Sequence, residues 1–195
     1  MSQRKTKLTR KTNETDINLS LDIDGSGQAE ITTGIGFLDH LLCSLTRHAR
    51  FDLEIVCKGD LEVDDHHTAE DCALVLGGAL DEILGDRRGI GRFGWAFAPL
   101  DEALARAVVD LSGRPYADVD LGLTREWLGT LSTENVGHVI RSLAMTLKAA
   151  IHVDVLKGEN DHHRAEAAFK ALALALRQAL VTDGVSEVPS TKGVL

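Results

Sequence analysis

The chain has 195 residues, enough to bury a sizeable core as one domain or as two small fused ones. Hydrophobic residues make up 44% and charged residues 26%, ordinary for a soluble globular protein, while aromatics at 4% leave the core to Ala, Val, Ile and Leu. A net charge of −9 excludes a general affinity for nucleic acid or anionic membranes, so an anionic substrate would need a local basic pocket.

The basic start, Met1 to Lys5, carries no apolar run of the signal-peptide kind and leads into a strand-like pattern. From Asp16 to Ile23 apolar Ile17, Leu19, Leu21 and Ile23 alternate with polar residues, which predicts a half-buried strand. Asp24-Gly25-Ser26-Gly27 reads as a hairpin-type turn into a second strand near Ala29 to Thr32. Gly36 to Arg47 follows as a helix, and Phe51, Leu53 and Ile55 as a strand. Asp65 is placed to cap a long helix with the stripe Ala69, Ala73, Leu76, Leu80 and Ile83. After the glycine-rich turn Gly85 to Gly94 the order repeats. Phe93 to Ala98 and Ala103 to Leu111 read as strands, Ser112 to Pro115 as a turn, and Ala117, Val119, Leu121 as the next strand. Thr133 to Ala149 is a helix, Ile151, Val153 and Val155 a strand, and Asp161 caps a helix striped by Phe169, Leu172, Leu176 and Leu180. The pattern is a duplicated α+β unit of strands, helix, strand, helix: residues 1–88, then 89–188, with a patternless tail at 189–195. Cys43, Cys57 and Cys72 are odd in number, lack metal-type spacing and read as reduced core thiols of a cytoplasmic protein.

Six of the eight histidines belong to the repeat. Asp65-His66-His67-Thr68-Ala69-Glu70 returns as Asp161-His162-His163-Arg164-Ala165-Glu166, and a lone histidine, His40 or His138, precedes each block. Successive helical residues diverge by about 100° while residues four apart share a face. His66 can therefore converge with Glu70, and His162 with Glu166, while His67 and His163 point elsewhere. The economical solution exchanges them between blocks. One metal then takes His40, His66, Glu70 and His163; the other takes His67, His138, His162 and Glu166. Three imidazoles and a carboxylate suit Mn²⁺, Fe²⁺ or Zn²⁺. A single His-His-x-x-Glu turn is ordinarily a solvated helix start; its duplication at matched spacing makes it a ligand set. His48 and His152 have no counterpart and read as ordinary surface or core histidines.

These residues carry a resemblance. Gly34-Ile35-Gly36-Phe37-Leu38-Asp39-His40, Asp64 to Asp71, Asp161 to Glu166, Ser112-Gly113-Arg114-Pro115 and Pro189-Ser190-Thr191-Lys192-Gly193 are similar to signatures of the imidazoleglycerol-phosphate dehydratases, over essentially the whole chain. The resemblance implies dehydration of imidazole glycerol phosphate to imidazole acetol phosphate in histidine biosynthesis, with two Mn²⁺ per active site. It implies two sheets enclosing a helical bundle, and trimers assembling into a homo-oligomeric shell of twenty-four subunits with sites between them. It places the metal on His40, His66, His67, Glu70, His138, His162, His163 and Glu166, acid–base chemistry on the carboxylates Glu14 and Glu166, and phosphate on Arg92, Arg114, Ser190 and Lys192.

The chemistry accounts for two metals. The proton to be removed is not next to a carbonyl, but the hydroxyl sits on the carbon attached to the imidazole ring. Metals on both ring nitrogens would favour the imidazolate, whose electron push expels the hydroxyl and acidifies the neighbouring C–H for a carboxylate such as Glu14. Ring nitrogens roughly 2 Å apart and bonds of roughly 2.1 Å place the metals on the order of 6 Å apart, against about 3.5–4 Å in hydrolytic pairs. Asp101 occupies roughly the place of Glu14 in the second half, so the duplication alone leaves that choice open. The rival readings are a dinuclear-metal hydrolase and a non-enzymatic metal-binding protein.

Overall fold

The computed structural model of the chain describes residues 4–182 and 184–195; Met1 to Gln3 of the basic start, and Asp183 within the second half, lie outside the described residues. The first half runs β1 (Lys5–Lys11), β2 (Thr15–Asp22), β3 (Ala29–Thr32), α1 (Gly36–Ala49), β4 (Asp52–Gly59) and α2 (His66–Leu84). The second runs β5 (Phe93–Leu100), β6 (Ala103–Asp110), β7 (Tyr116–Asp120), a short hairpin of β8 (Trp127–Leu128) and β9 (Leu131–Ser132), then α3 (Thr133–Leu147), β10 (Ala150–Lys157) and α4 (Asp161–Ala179). The two four-stranded sheets have matching orders, β1-β2-β4-β3 and β5-β6-β10-β7. In each, the third strand of the half joins in parallel and the other pairs are antiparallel. Among the described residues the β8–β9 hairpin has no counterpart in the first half, and the sequence periodicity does not reveal it.

Period-two alternation sets the inner face of each sheet. Ile17, Leu19 and Leu21 are buried, and the register sets Leu19 opposite Ile55 and Leu21 opposite Leu53. In the second sheet Val109 faces Ile151 and Ala107 faces Val153. The helices lie between the sheets, as expected: α2 packs on β1, β2 and β4, and α4 on β5, β6 and β10. Each then packs on a helix of the other half, α1 on α4 and α2 on α3. Small residues allow the close approach. A Cβ at Gly94 would overlap the Ala175 carbonyl of α4, and one at Gly77 would lie 2.5 Å from the Leu143 carbonyl oxygen of α3.

Two local expectations are corrected. Asp24 to Gly27 does not close a hairpin, because β4 lies between β2 and β3. The loop instead wraps the Asp52 carboxylate, which accepts the amides of Ser26, Gly27 and Gln28 at 2.8, 3.0 and 2.9 Å. Nor do Asp65 and Asp161 cap their helices with their side chains. Asp64 accepts the His66 amide at 2.8 Å and Asn160 the His162 amide at 2.9 Å. The two aspartates are buried and tie down loops instead: Asp65 accepts from the Ser132 amide, and Asp161 from the amides of Thr124 and Arg125.

Candidate metal centre

The histidine repeat folds into two clusters, each drawing on both halves. His40 of α1 meets His162 and Glu166 of α4; His138 of α3 meets His66 and Glu70 of α2. In each cluster the ligand atoms lie within 4.8 Å of one another. Glu166 Oε2 is 2.9 Å from His40 Nε2 and 3.2 Å from His162 Nε2. Glu70 Oε1 is 3.2 Å from His138 Nε2, and its Oε2 is 3.8 Å from His66 Nε2. Phe37 packs its ring against His40 and His162, and His66 stacks on His138 at 4.7 Å. The expected convergence of His66 with Glu70, and of His162 with Glu166, is present. The expected placement of the lone histidines is reversed, for His40 joins the second block and His138 the first. Helix pairing is the reason: because α1 lies on α4 and α2 on α3, each lone histidine faces the block of the other half.

His67 and His163 join neither cluster of their own chain. They are nevertheless held. Asp60 lies 3.0 Å from His67 Nδ1, and Glu102 lies 2.8 Å from His163 Nδ1. A carboxylate can only accept, so both rings hold a proton on Nδ1, and in the neutral ring the Nε2 lone pair is the atom that can bind a metal. Asn135 Oδ1 serves His66 Nδ1 in the same way at 3.0 Å. Such partners are what fix the tautomer and direction of a metal-binding imidazole. The hydrogen bond to Asp60 raises the pKa of His67, and that to Glu102 raises His163. Glu102, taking the Asn160 amide and then His163, is held at about 2. Burial opposes ionisation of Glu166, but hydrogen bonds from Lys170 and His40 outweigh it and hold this carboxyl at about 2 as well.

Glu14, on the turn between β1 and β2, lies with Oε1 3.6 Å from His67 Nε2; Asp101, on the β5–β6 turn, lies 3.9 Å from His163 Nε2. The two carboxylates thus hold equivalent places beside the two outlying histidines. The Glu14 turn is anchored through Thr15, whose hydroxyl donates to buried Asp71 at 2.5 Å, with Arg10 paired to the same oxygen. Arg92 pairs with Asp110 and donates to the Pro189 carbonyl at 2.7 Å, so the tail carrying Ser190 and Lys192 folds back onto it. Arg114 sits on the following turn, where a Cβ at Gly113 would meet Leu195. Among the described residues no hydrogen bond or ion pair joins these four to the histidine clusters of the same chain. His48 and His152 stay outside the clusters; His152 lies 3.8 Å from Asp118. Sequence reasoning missed Asp60, Glu102, Asn135 and Lys170. Only Lys170, one turn beyond Glu166, left a readable signal.

The chain is similar to known proteins along most of its length. Residues 33–176 match the family model described as "Imidazoleglycerol-phosphate dehydratase". A protein of that name from Torulaspora delbrueckii is 49% identical, with all of both chains covered. One from Chlorobium luteolum is 55% identical over 98% of this chain and 96% of its own length. Another, from Phytophthora nicotianae, is 56% identical, and this chain spans 42% of its length. The crystal structure of the Pyrococcus furiosus protein superposes with a TM-score of 0.83 at 38% identity, covering 96% of this chain and 100% of that one.

Proposed function

This chain belongs to the imidazoleglycerol-phosphate dehydratase family, and we propose that its two clusters become a pair of Mn²⁺ sites shared between neighbouring copies. Its reaction is a hydro-lyase step of histidine biosynthesis, the elimination of water from imidazole glycerol phosphate. One observation carries the reading of the site: each cluster offers two imidazoles and a carboxylate, while a third imidazole per half is oriented but stranded. The donor set fits Mn²⁺, which takes nitrogen and carboxylate oxygen and leaves further positions for substrate.

His163 of one copy completes the His66–Glu70–His138 cluster of the next, and His67 of that copy returns to the first copy's His40–His162–Glu166 cluster. Neighbouring ring centroids within each block are 6.1 Å apart. With His66 turned to its own cluster and His67 to the neighbour's, the two imidazoles would hold two separate ions. The homo-oligomer we propose is a shell of twenty-four subunits built from trimers, in the cytoplasm.

When bound, the metals supply Lewis acidity that favours the imidazolate form of the substrate ring. Glu14, beside His67 Nε2, is placed to take the proton from the carbon next to the one losing hydroxyl. Glu166 acts as a ligand carboxylate, since its oxygens are committed to His40, His162 and Lys170. Arg92, Arg114, Ser190 and Lys192 bind the phosphate, a local basic site on an acidic chain. The test is turnover of imidazole glycerol phosphate by Mn²⁺-loaded protein before and after chelation. Loss of turnover together with loss of the large assembly is expected; full activity in metal-free single subunits would refute the reading.

A further inference from the structure

The two clusters are built from duplicated sequence, yet among the described residues only one of their two carboxylates is paired with a lysine. One turn after Glu166 stands Lys170, whose Nζ lies 2.8 Å from Glu166 Oε1. The same position in the first half, one turn after Glu70, is Leu74. This pair is well shielded: the Lys170 and Glu166 side chains are 18% and 14% exposed, against 36% for Glu70. Glu166 therefore offers its cluster a carboxylate already neutralised by an ammonium. Lys170 also ties up Oε1, leaving Oε2 alone toward His40 and His162. At Glu70 both oxygens face imidazoles, Oε1 toward His138 and Oε2 toward His66.

We propose that Lys170 makes the two metal sites unequal, the His66–Glu70–His138 site being tight and filled first, the His40–His162–Glu166 site weak and filled last. The inference rests on the Mn²⁺ reading above. A unit positive charge roughly 5 Å from a divalent ion opposes its binding by about tenfold even in a water-like medium, and by more where water is excluded. The consequence is an enzyme whose duplicated centres load in order, so that at limiting metal the Glu70 sites fill while the Glu166 sites stay open.

Mn²⁺-loaded protein equilibrated against graded chelator, with metal per chain read by mass spectrometry and Mn²⁺ electron paramagnetic resonance, tests this. Wild type is expected to release metal in two equal steps. Lys170→Gln is expected to strengthen the weaker site about tenfold and merge the steps, while Lys170→Arg keeps them apart. Glu70→Gln is expected to abolish the late step, which identifies the tight site. A single release step in wild type, or two steps unmoved by Lys170→Gln, would overturn the proposal and leave the metal reading intact. A protein that holds no Mn²⁺ would overturn that reading and the proposal with it.

Discussion

The stranded histidines provide the sharpest prediction. Replacing Asp60 with Ala removes the 3.0 Å partner of His67 Nδ1 and frees the ring to rotate and to change tautomer. Replacing Glu102 with Ala does the same to His163, whose partner is 2.8 Å away. Loss of such an orienting group weakens metal binding about 10–100-fold. His67 and Asp60 are both half-buried, with side chains 31% and 20% exposed, so water replaces the lost carboxylate only in part. Asp60→Asn, which keeps an acceptor but no charge, should fall between wild type and Asp60→Ala. The two substitutions should not act on the same metal. In the shared arrangement Asp60 supports the Glu166-type site of a neighbour, and Glu102 supports the Glu70-type site. Manganese affinity measured by calorimetry, beside assembly size by analytical ultracentrifugation, should show one site weakened in each variant and a smaller assembly at limiting metal. Unchanged affinity and assembly in Asp60→Ala would refute the bridging role of His67.

Glu14→Gln should abolish dehydration while leaving metal content and assembly at wild-type levels, read by turnover and mass spectrometry; surviving activity would move the base elsewhere, with Asp101 the next candidate. Gly94→Val should destabilise the chain by about 1–3 kcal/mol or more, because its side chain would overlap the α4 backbone at Ala175, and calorimetry should show Tm falling by about 2–4 °C per kcal/mol. For metal-free protein the pH dependence has two opposite parts. Glu102 and Glu166, held at about 2 against an ordinary 4.5, contribute stability that is present above 4.5 and lost as pH falls toward 2. His67 and His163, raised above 6.5, contribute stability that is present below 6.5 and lost as pH rises through their folded values. Metal-free protein should therefore weaken progressively below pH 4.5 in denaturant titrations. Loaded protein should release Mn²⁺ at higher pH, as its imidazoles protonate.

Much of the fold was legible because each sheet keeps one face buried: Ile17, Leu19 and Leu21 alternate as a period-two pattern must, and Leu172 and Leu176 recur at helical spacing. Six of the eight ligand candidates, the ones that gather into the two clusters, were legible because duplication repeats both their types and their order. Their partition was not. Spacing along the chain says that His66 and Glu70 share a face, but which lone histidine meets them depends on α2 packing against α3 across the repeat. The hairpin at Asp24 failed for the same reason, since a turn motif cannot show that β4 will slide between its arms. Asp60 and Glu102 lie in loops without periodicity, and their roles exist only once the chain is folded around His67 and His163.

The most direct test of the central claim is a crystal structure of the protein with Mn²⁺ and an imidazole-bearing substrate analogue. Two metals on the order of 6 Å apart are expected, one on each ring nitrogen, with His67 and His163 reaching across subunits to complete each other's sites. A hydroxide-bridged pair about 3.5–4 Å apart, or both metals bound wholly within one chain, would contradict it.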